Sequence, residues 1–332
     1  MVSNEIDDFI RWVKSAGLTA TISTHIDDIN MMTHLDLSKK KIRELPESFG
    51  VLKNLTVLKL SNNRLKKLPS SIGELKKLKN FQCENNLLEE IPSSIGNLSK
   101  LMILNLNGNR IESLPEELYK LKALTRLTLA ANKIKELSPS LGELTKLLYL
   151  SLDTNELESL PDAFSNMQSL YYLDLSFNKL NYLPESISKI EELETLLLEG
   201  NRLKNLPSLE SHDMLIKLDL SENSLDSLDF NISKLEDLKI FILDNNSLKV
   251  LPDEICNLKK LTNLSVSSNE LIALPEQIGA LQNLEELDIE DNNIEKLPQS
   301  ISTLKNLKNL YLGGNNNLSR PEGLDLEFCD VD

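Results

Sequence analysis

Hydrophobic residues return along this chain every 23 positions, from about residue 30 almost to its end. One copy reads Leu55-x-x-Leu58-x-Leu60-x-x-Asn63-x-Leu65-x-x-Leu68-Pro69. Its asparagine recurs at Asn86, Asn109, Asn132, Asn155, Asn178 and Asn201, then, after one 22-residue step, at Asn223, Asn246, Asn269, Asn292 and Asn315. With a first copy that carries Lys40 in the asparagine slot, the pattern predicts thirteen coils. A period of this length means a stack of similar units, each of which buries its apolar side only against its neighbours.

Each coil divides into three parts. In Thr56-Val57-Leu58-Lys59-Leu60-Ser61 the residues alternate, which predicts a short strand with Leu58 and Leu60 inward and Val57, Lys59 and Ser61 outward. The coil turns at Asn63, whose amide both donates and accepts and must be satisfied when buried, by backbone of its own and adjacent coils. The run Leu68-Pro69-Ser70-Ser71-Ile72-Gly73-Glu74-Leu75 then predicts a short helix on the far side, with Pro69 in its first turn and Gly73 at its end. Ile72, Leu75 and Leu78 fill the core from behind.

The ends of such a stack need covers. At the start, Asn4 is expected to cap a helix with an apolar stripe of Ile6, Phe9, Ile10 and Val13, ended by Gly17. Ile22, Ile26 and Ile29 continue that cover into a first strand at His34-Leu35-Asp36-Leu37. At the far end the repeat slips in Asn315-Asn316-Asn317-Leu318, and Leu324, Leu326 and Phe328 alternate as one closing edge strand. The expected organisation is a helical cap over 1–30, thirteen coils over 31–320 and a terminal segment over 321–332. Departures within the repeat read as tolerated defects: Cys83 as a small core residue, Ser138-Pro139 as a shifted proline, Asp229 as its replacement, and His212 as a partly solvated substitute for a core leucine.

The string Leu-Pro-x-x-Ile-Gly-x-Leu-x-x-Leu-x-x-Leu-x-Leu-x-x-Asn-x-Leu resembles the intracellular leucine-rich repeats of Scribble/Erbin-type scaffolds, the Ras-pathway Shoc family, plant Ras-group proteins and bacterial repeat proteins. That resemblance implies an α/β leucine-rich-repeat solenoid, a curved horseshoe with a concave parallel β-sheet and convex short helices or turns. It also implies protein binding, on the concave face. Bacterial effectors that are ubiquitin ligases carry such repeats before a large catalytic domain, and only about a dozen residues follow the last coil here.

Formal net charge is −15, which argues against nucleic acid or an anionic membrane as partner and for a basic protein surface. Apolar runs are only a few residues long, far short of the ~18 needed to span a bilayer. The first residues lack the basic and apolar regions of a secretory signal. Three scattered cysteines, Cys83, Cys256 and Cys329, suit a reducing, cytoplasmic compartment rather than disulfide-bonded end caps. Six Asn-x-Ser/Thr matches are the chance product of a Leu-, Asn- and Ser-rich repeat. A monomer is expected.

Catalytic chemistry is not indicated. His25, His34 and His212 occupy different parts of the repeat, and no phosphate loop, Cys-x-x-Cys or serine elbow occurs. No cofactor is expected, and the sequence is read as non-enzymatic.

The positions left free by the fold are the outward strand slots, four per coil. They carry twelve acids against four bases. Coils six to ten alternate acids between two columns, which avoids like charges directly opposite each other. Tyr149, Tyr172 and Phe177 form an aromatic patch among them, continued by Leu197, Ile240 and Ile242. The candidate partner-binding set is completed by Asp153, Asp174, Glu199, Asp219, Asp244, Glu286, Asp288 and Glu290. A cation between Asp288 and Glu290 is the alternative to plain solvated acids there. The resulting expectation is a module that grips a basic, partly apolar protein. The alternative is an effector secreted into another cell's cytosol to occupy a host signalling protein.

Overall fold

A computed structural model describes residues 2–315 and 318–330. The chain forms two compact units, Met1–Leu157 and Glu158–Asp332.

The first unit opens with helix α1 (Val2–Ser15), which contains Asn4 rather than being capped by it. Ile6, Phe9 and Val13 are buried, as the stripe predicts, while Ile10 is only half-buried. Gly17, at φ +68°, takes the left-handed conformation that ends the helix, and Leu18 N–H reaches back to the Val13 carbonyl at 2.9 Å. Phe9 and Trp12 meet Phe49 of the first coil edge-on, each with centroids 5.9 Å away, so the helix is a lid fastened by aromatic contact. A second helix, α2 (Ile26–Met31), buries Ile29 but leaves Ile26 on the surface. Ile26 therefore does not belong to the cover that Ile22 and Ile29 make.

Six strands follow in this unit: β1 (His34–Asp36), β2 (Val57–Lys59), β3 (Asn80–Gln82), β4 (Ile103–Asn105), β5 (Arg126–Thr128) and β6 (Tyr149–Ser151). Each pairs in parallel with the next, in register one coil apart, so Leu35, Leu58, Phe81, Leu104, Leu127 and Leu150 form one buried row. The asparagines knit the coils. Asn63 Nδ2 donates to the carbonyls of Leu60 in its own coil and Leu37 in the preceding one, both at 2.8 Å, and its Oδ1 accepts from the amides of Lys40 and Ile42 at 3.0 Å. Asn86, Asn109, Asn132 and Asn155 repeat this.

The far side is built of 3-10 turns, Ser70–Glu74 being representative. Two sequence expectations need correction there. Pro69 stands just before the turn in extended backbone, where its carbonyl accepts from Ile72 N–H. Gly73 does not end the turn through left-handed backbone; it lies inside it, and a Cβ there would come within 2.8 Å of Ser94 Cβ in the next coil. The residue is small because neighbouring turns press together.

The second unit contains β7 (Tyr172–Asp174), β8 (Thr195–Leu197), β9 (Lys217–Asp219), β10 (Ile240–Ile242), β11 (Asn263–Ser265), β12 (Glu286–Asp288), β13 (Asn309–Tyr311) and β14 (Phe328–Asp330). These too pair consecutively and in parallel. The short coil between β8 and β9 has no 3-10 turn but keeps its strand register. His212 within it is fully buried, not partly solvated, and its ring nitrogens make no hydrogen bond of good geometry, only weak interactions with the Leu209 and Ile187 carbonyls. The closing strand exists but starts later than the alternation suggested, at Phe328, with Leu326 buried ahead of it. The predicted slip falls partly on Asn316 and Asn317, which lie outside the described residues.

Candidate functional site

Each strand is only three residues long, and its first and third side chains point away from the core. The first unit presents Tyr149 and Asp153 on its sheet face, both half-buried. The Arg126 guanidinium stacks over the Tyr149 ring at 3.8 Å, and Ser151 Oγ donates to Asp153 at 2.7 Å. This face is balanced: its outward slots hold Asp36, Glu84 and Asp153 against Lys39, Lys59 and Arg126.

The other twelve candidate residues lie on the sheet face of the second unit. The strand register places Asp174, Leu197, Asp219 and Ile242 side by side in one row, and Tyr172, Thr195, Lys217 and Ile240 in the row beside it. In the first of these rows acid and apolar side chains alternate, so Asp174 and Asp219 are not direct neighbours across strands. Asn263 and Ser265 of β11 then separate this group from Glu286 and Asp288. In this unit the outward slots carry nine acids and one base, Lys217, so the entire acidic excess of the strand faces belongs here. Lys217 itself is held 3.9 Å from Asp219.

Part of that acidity shapes the backbone. Asp174, Asp219 and Asp288, each the last residue of its strand, accept the amide N–H two residues on, from Ser176, Ser221 and Glu290, at 3.0–3.2 Å. Asp244 accepts from Ser267 N–H at 2.8 Å and from Ser265 Oγ at 2.5 Å, both in the next coil. In Asp174 and Asp219 the other oxygen faces a neighbour on the sheet, accepting from Tyr172 Oη at 3.3 Å in the first and lying 3.9 Å from Lys217 Nζ in the second. Crowding shows in their protonation. Burial, reinforced by Asp219 and Glu222, pushes the Glu199 carboxyl up. Glu290 is raised to about 7 by burial, by a hydrogen bond with Asp330 and by the charges of Asp288, Asp330 and Asp291.

The turn after each strand supplies a feature that was not read from the sequence. The residue before the ladder asparagine is left-handed in coil after coil: Asn62, Asn85, Gly108, Ala131, Thr154, Phe177, Gly200, Glu222, Asn245, Ser268, Asp291 and Gly314 all have φ between +51° and +66° or, for Gly314, +69°. The signal was present, since Gly, Asn and Asp fill most of this slot and are the residues that tolerate such backbone. Phe177 is the exception by size. The residue is 46% exposed.

Among the described residues no group of three or more His, Cys, Asp or Glu is placed to hold a metal ion, and no helix is long and apolar enough to cross a membrane. A cleft of about 630 Å³ lies between the last 3-10 turn and the C-terminal segment, lined in part by Pro298, Ile301 and Arg320, and none of the candidate residues lines it.

Family models agree with this geometry. The leucine-rich-repeat region model matches residues 16–105 and 92–178, and models for leucine-rich-repeat units match 169–190 and 282–326. The chain is a leucine-rich-repeat protein. Among solved structures it is similar to a leucine-rich-repeat protein of Leptospira interrogans, with 29% identity and a TM-score of 0.60 over 87% of this chain and 92% of that one. It is also similar to the plant peptide hormone receptor RGFR1 in complex with RGF2 (30% identity, TM-score 0.78, 88% of this chain and 50% of the receptor). A third likeness is to the Drosophila Toll–Spatzle complex (26% identity, TM-score 0.75, 90% of this chain and 42% of that one). This leucine-rich-repeat protein spans half or less of the length of both receptor chains. No curated protein matches it in sequence. Its fold belongs to a class used for protein–protein interaction.

Proposed function

We propose that this leucine-rich-repeat protein is a non-enzymatic binding module whose second unit grips a basic, partly apolar protein surface with its outward sheet face. The observation that carries the reading is the segregation of charge: nine acids and one base on that face, against three of each on the first unit's. Apolar Leu197, Ile240 and Ile242 and the aromatic Tyr172 and Phe177 stand among those acids, half-buried or exposed. An apolar centre within a charged surround is the make-up of a protein interface. The peptide hormone receptor and Toll structures, each in complex with a ligand, support the same use of the fold.

Crosslinking capture from the native cell tests it, comparing the wild type with Glu199→Lys at about 50 and about 300 mM salt. The captured protein should present a basic surface, be lost with Glu199→Lys, and weaken at the higher salt as exposed charges are screened over ~8 Å or less. A partner that binds the variant equally and ignores salt refutes the reading.

A further inference from the structure

Phe177 occupies a slot that costs a large side chain energy. Its φ is +52°, in the left-handed region that β-carbon sterics disfavour. Other coils fill the slot with glycine, asparagine, aspartate or, at Ala131, Thr154, Glu222 and Ser268, another non-aromatic side chain, so Phe177 is its one aromatic occupant. Burial offsets that cost only in part, since nearly half of the residue's surface is open. Its conformation is nevertheless fixed. Phe177 N–H donates to the Glu199 carbonyl at 2.6 Å, and the ring lies across Gly200 of the next coil, where a Cβ would come within 2.5 Å of Phe177 Cδ1 and 2.9 Å of Cε1. One side of the ring is thus seated on bare backbone and the other is presented outward.

The surroundings decide what that ring is for. Glu199 immediately precedes Gly200, and Glu222 occupies the left-handed slot one coil beyond that glycine. Asp174 and Asp219 lie in the row behind. Of the bases nearby, Lys217 on the sheet face is held against Asp219, while Lys179 and Arg202 lie beyond the ladder asparagines. An exposed ring face among carboxylates attracts a cation through both its quadrupole and the acids. A planar guanidinium fits both at once, because it stacks flat on a ring while its N–H fork donates to carboxylates at its edge, which an ammonium does not.

We infer that Phe177, seated on Gly200 with Glu199 beside that glycine and Glu222 in the slot beyond it, is a receptor for an arginine side chain of the protein partner. The inference rests on the acidic-face reading above and adds a residue-level preference to it. Glycine at position 200 is then required by the ring as well as by the backbone.

The test uses two labelled peptides, Lys-Lys-Arg-Lys-Lys and Lys-Lys-Lys-Lys-Lys, titrated at low salt against the full chain by fluorescence anisotropy. The arginine peptide should bind the wild type about fivefold more tightly than the lysine peptide. In Phe177→Gly and Phe177→Asn, which carry residues that the slot holds in other coils, the two peptides should bind within twofold of each other while both still bind. Thermal unfolding of these variants should remain cooperative, so the lost preference reports the ring. A preference that survives both variants, or wild-type affinities that do not differ, overturns the arginine seat and leaves the acidic face standing. Failure of both peptides to bind the wild type overturns both.

Discussion

At the scale of single residues, the asparagine and histidine slots show opposite solutions to burying a polar group. Asn63 and its copies bring donors and acceptors that the coil's own backbone matches. His212 does not. It takes a position that is leucine, isoleucine or methionine in the other coils, as at Leu75, Met167, Ile190 and Leu235. Burial pushes its pKa down, against the weaker pull of the Leu209 and Ile187 carbonyls and Asp213. A base whose folded pKa lies below its unfolded value destabilises the fold increasingly as pH falls below about 6.5. His212→Leu should therefore stabilise the protein by about 1–2 kcal/mol at pH 7.5, by removing unsatisfied buried nitrogens, and by more at pH 5.5. Urea denaturation at the two pH values measures this, and an equal gain at both contradicts a buried neutral ring. The sequence identified the misfit residue but assigned it partial solvation, because the one-residue deletion beside it suggested a looser coil than the fold allows.

At the scale of elements, strands and ladder were legible because both depend on a strict period: alternation at two residues and repetition at 23. The 3-10 turns were less so. Their glycines looked like helix terminators, whereas the requirement comes from the adjacent coil and has no local signature. Gly279 is the sharpest case: a Cβ there would run into the Ser300 carbonyl and Thr303 Oγ1 of the following turn. Gly279→Ala is expected to destabilise by about 1–3 kcal/mol through overpacking. Had the glycine served as a left-handed terminator, alanine would also destabilise, but Gly279→Asn would restore stability. The two variants compared by chemical denaturation separate these causes, and asparagine should be the worse. The left-handed column was missed for a related reason. Asn and Gly in it are informative only when aligned coil by coil, and Phe177, Glu222 and Thr154 dilute the pattern.

At the scale of the whole molecule, the net charge of −15 is not spread evenly. The sequence showed an acidic set of outward slots but treated the chain as one surface; the division into two units assigns the excess to one of them. That concentration has a pH signature opposite to that of His212. The raised pKa of Glu290, about 7, means the folded unit holds a proton that the unfolded chain releases near 4.5. Its stabilising effect is complete below the unfolded value and lost as pH rises through about 7. Glu290→Gln should raise the melting temperature at pH 8 and leave it unchanged at pH 4.5. Melting curves that shift equally at both would show that crowding with Asp288 and Asp330 is not the cause.

The asparagine ladder carries a consequence for how such a chain changes length over generations. In regular coils the Oδ1 bond reaches back 21 residues and one Nδ2 bond 26. At Asn223, after the 22-residue step, the offsets are 20 and 25, with the same partners and the same distances near 3.0 Å. The lost residue was thus removed from the far side, and the stitching did not register it. A gene for this fold therefore tolerates two kinds of edit: gain or loss of an entire coil, and trimming behind the ladder. Inheritance can move the left-handed slots nearer or further apart by whole coils while each keeps its own side chain.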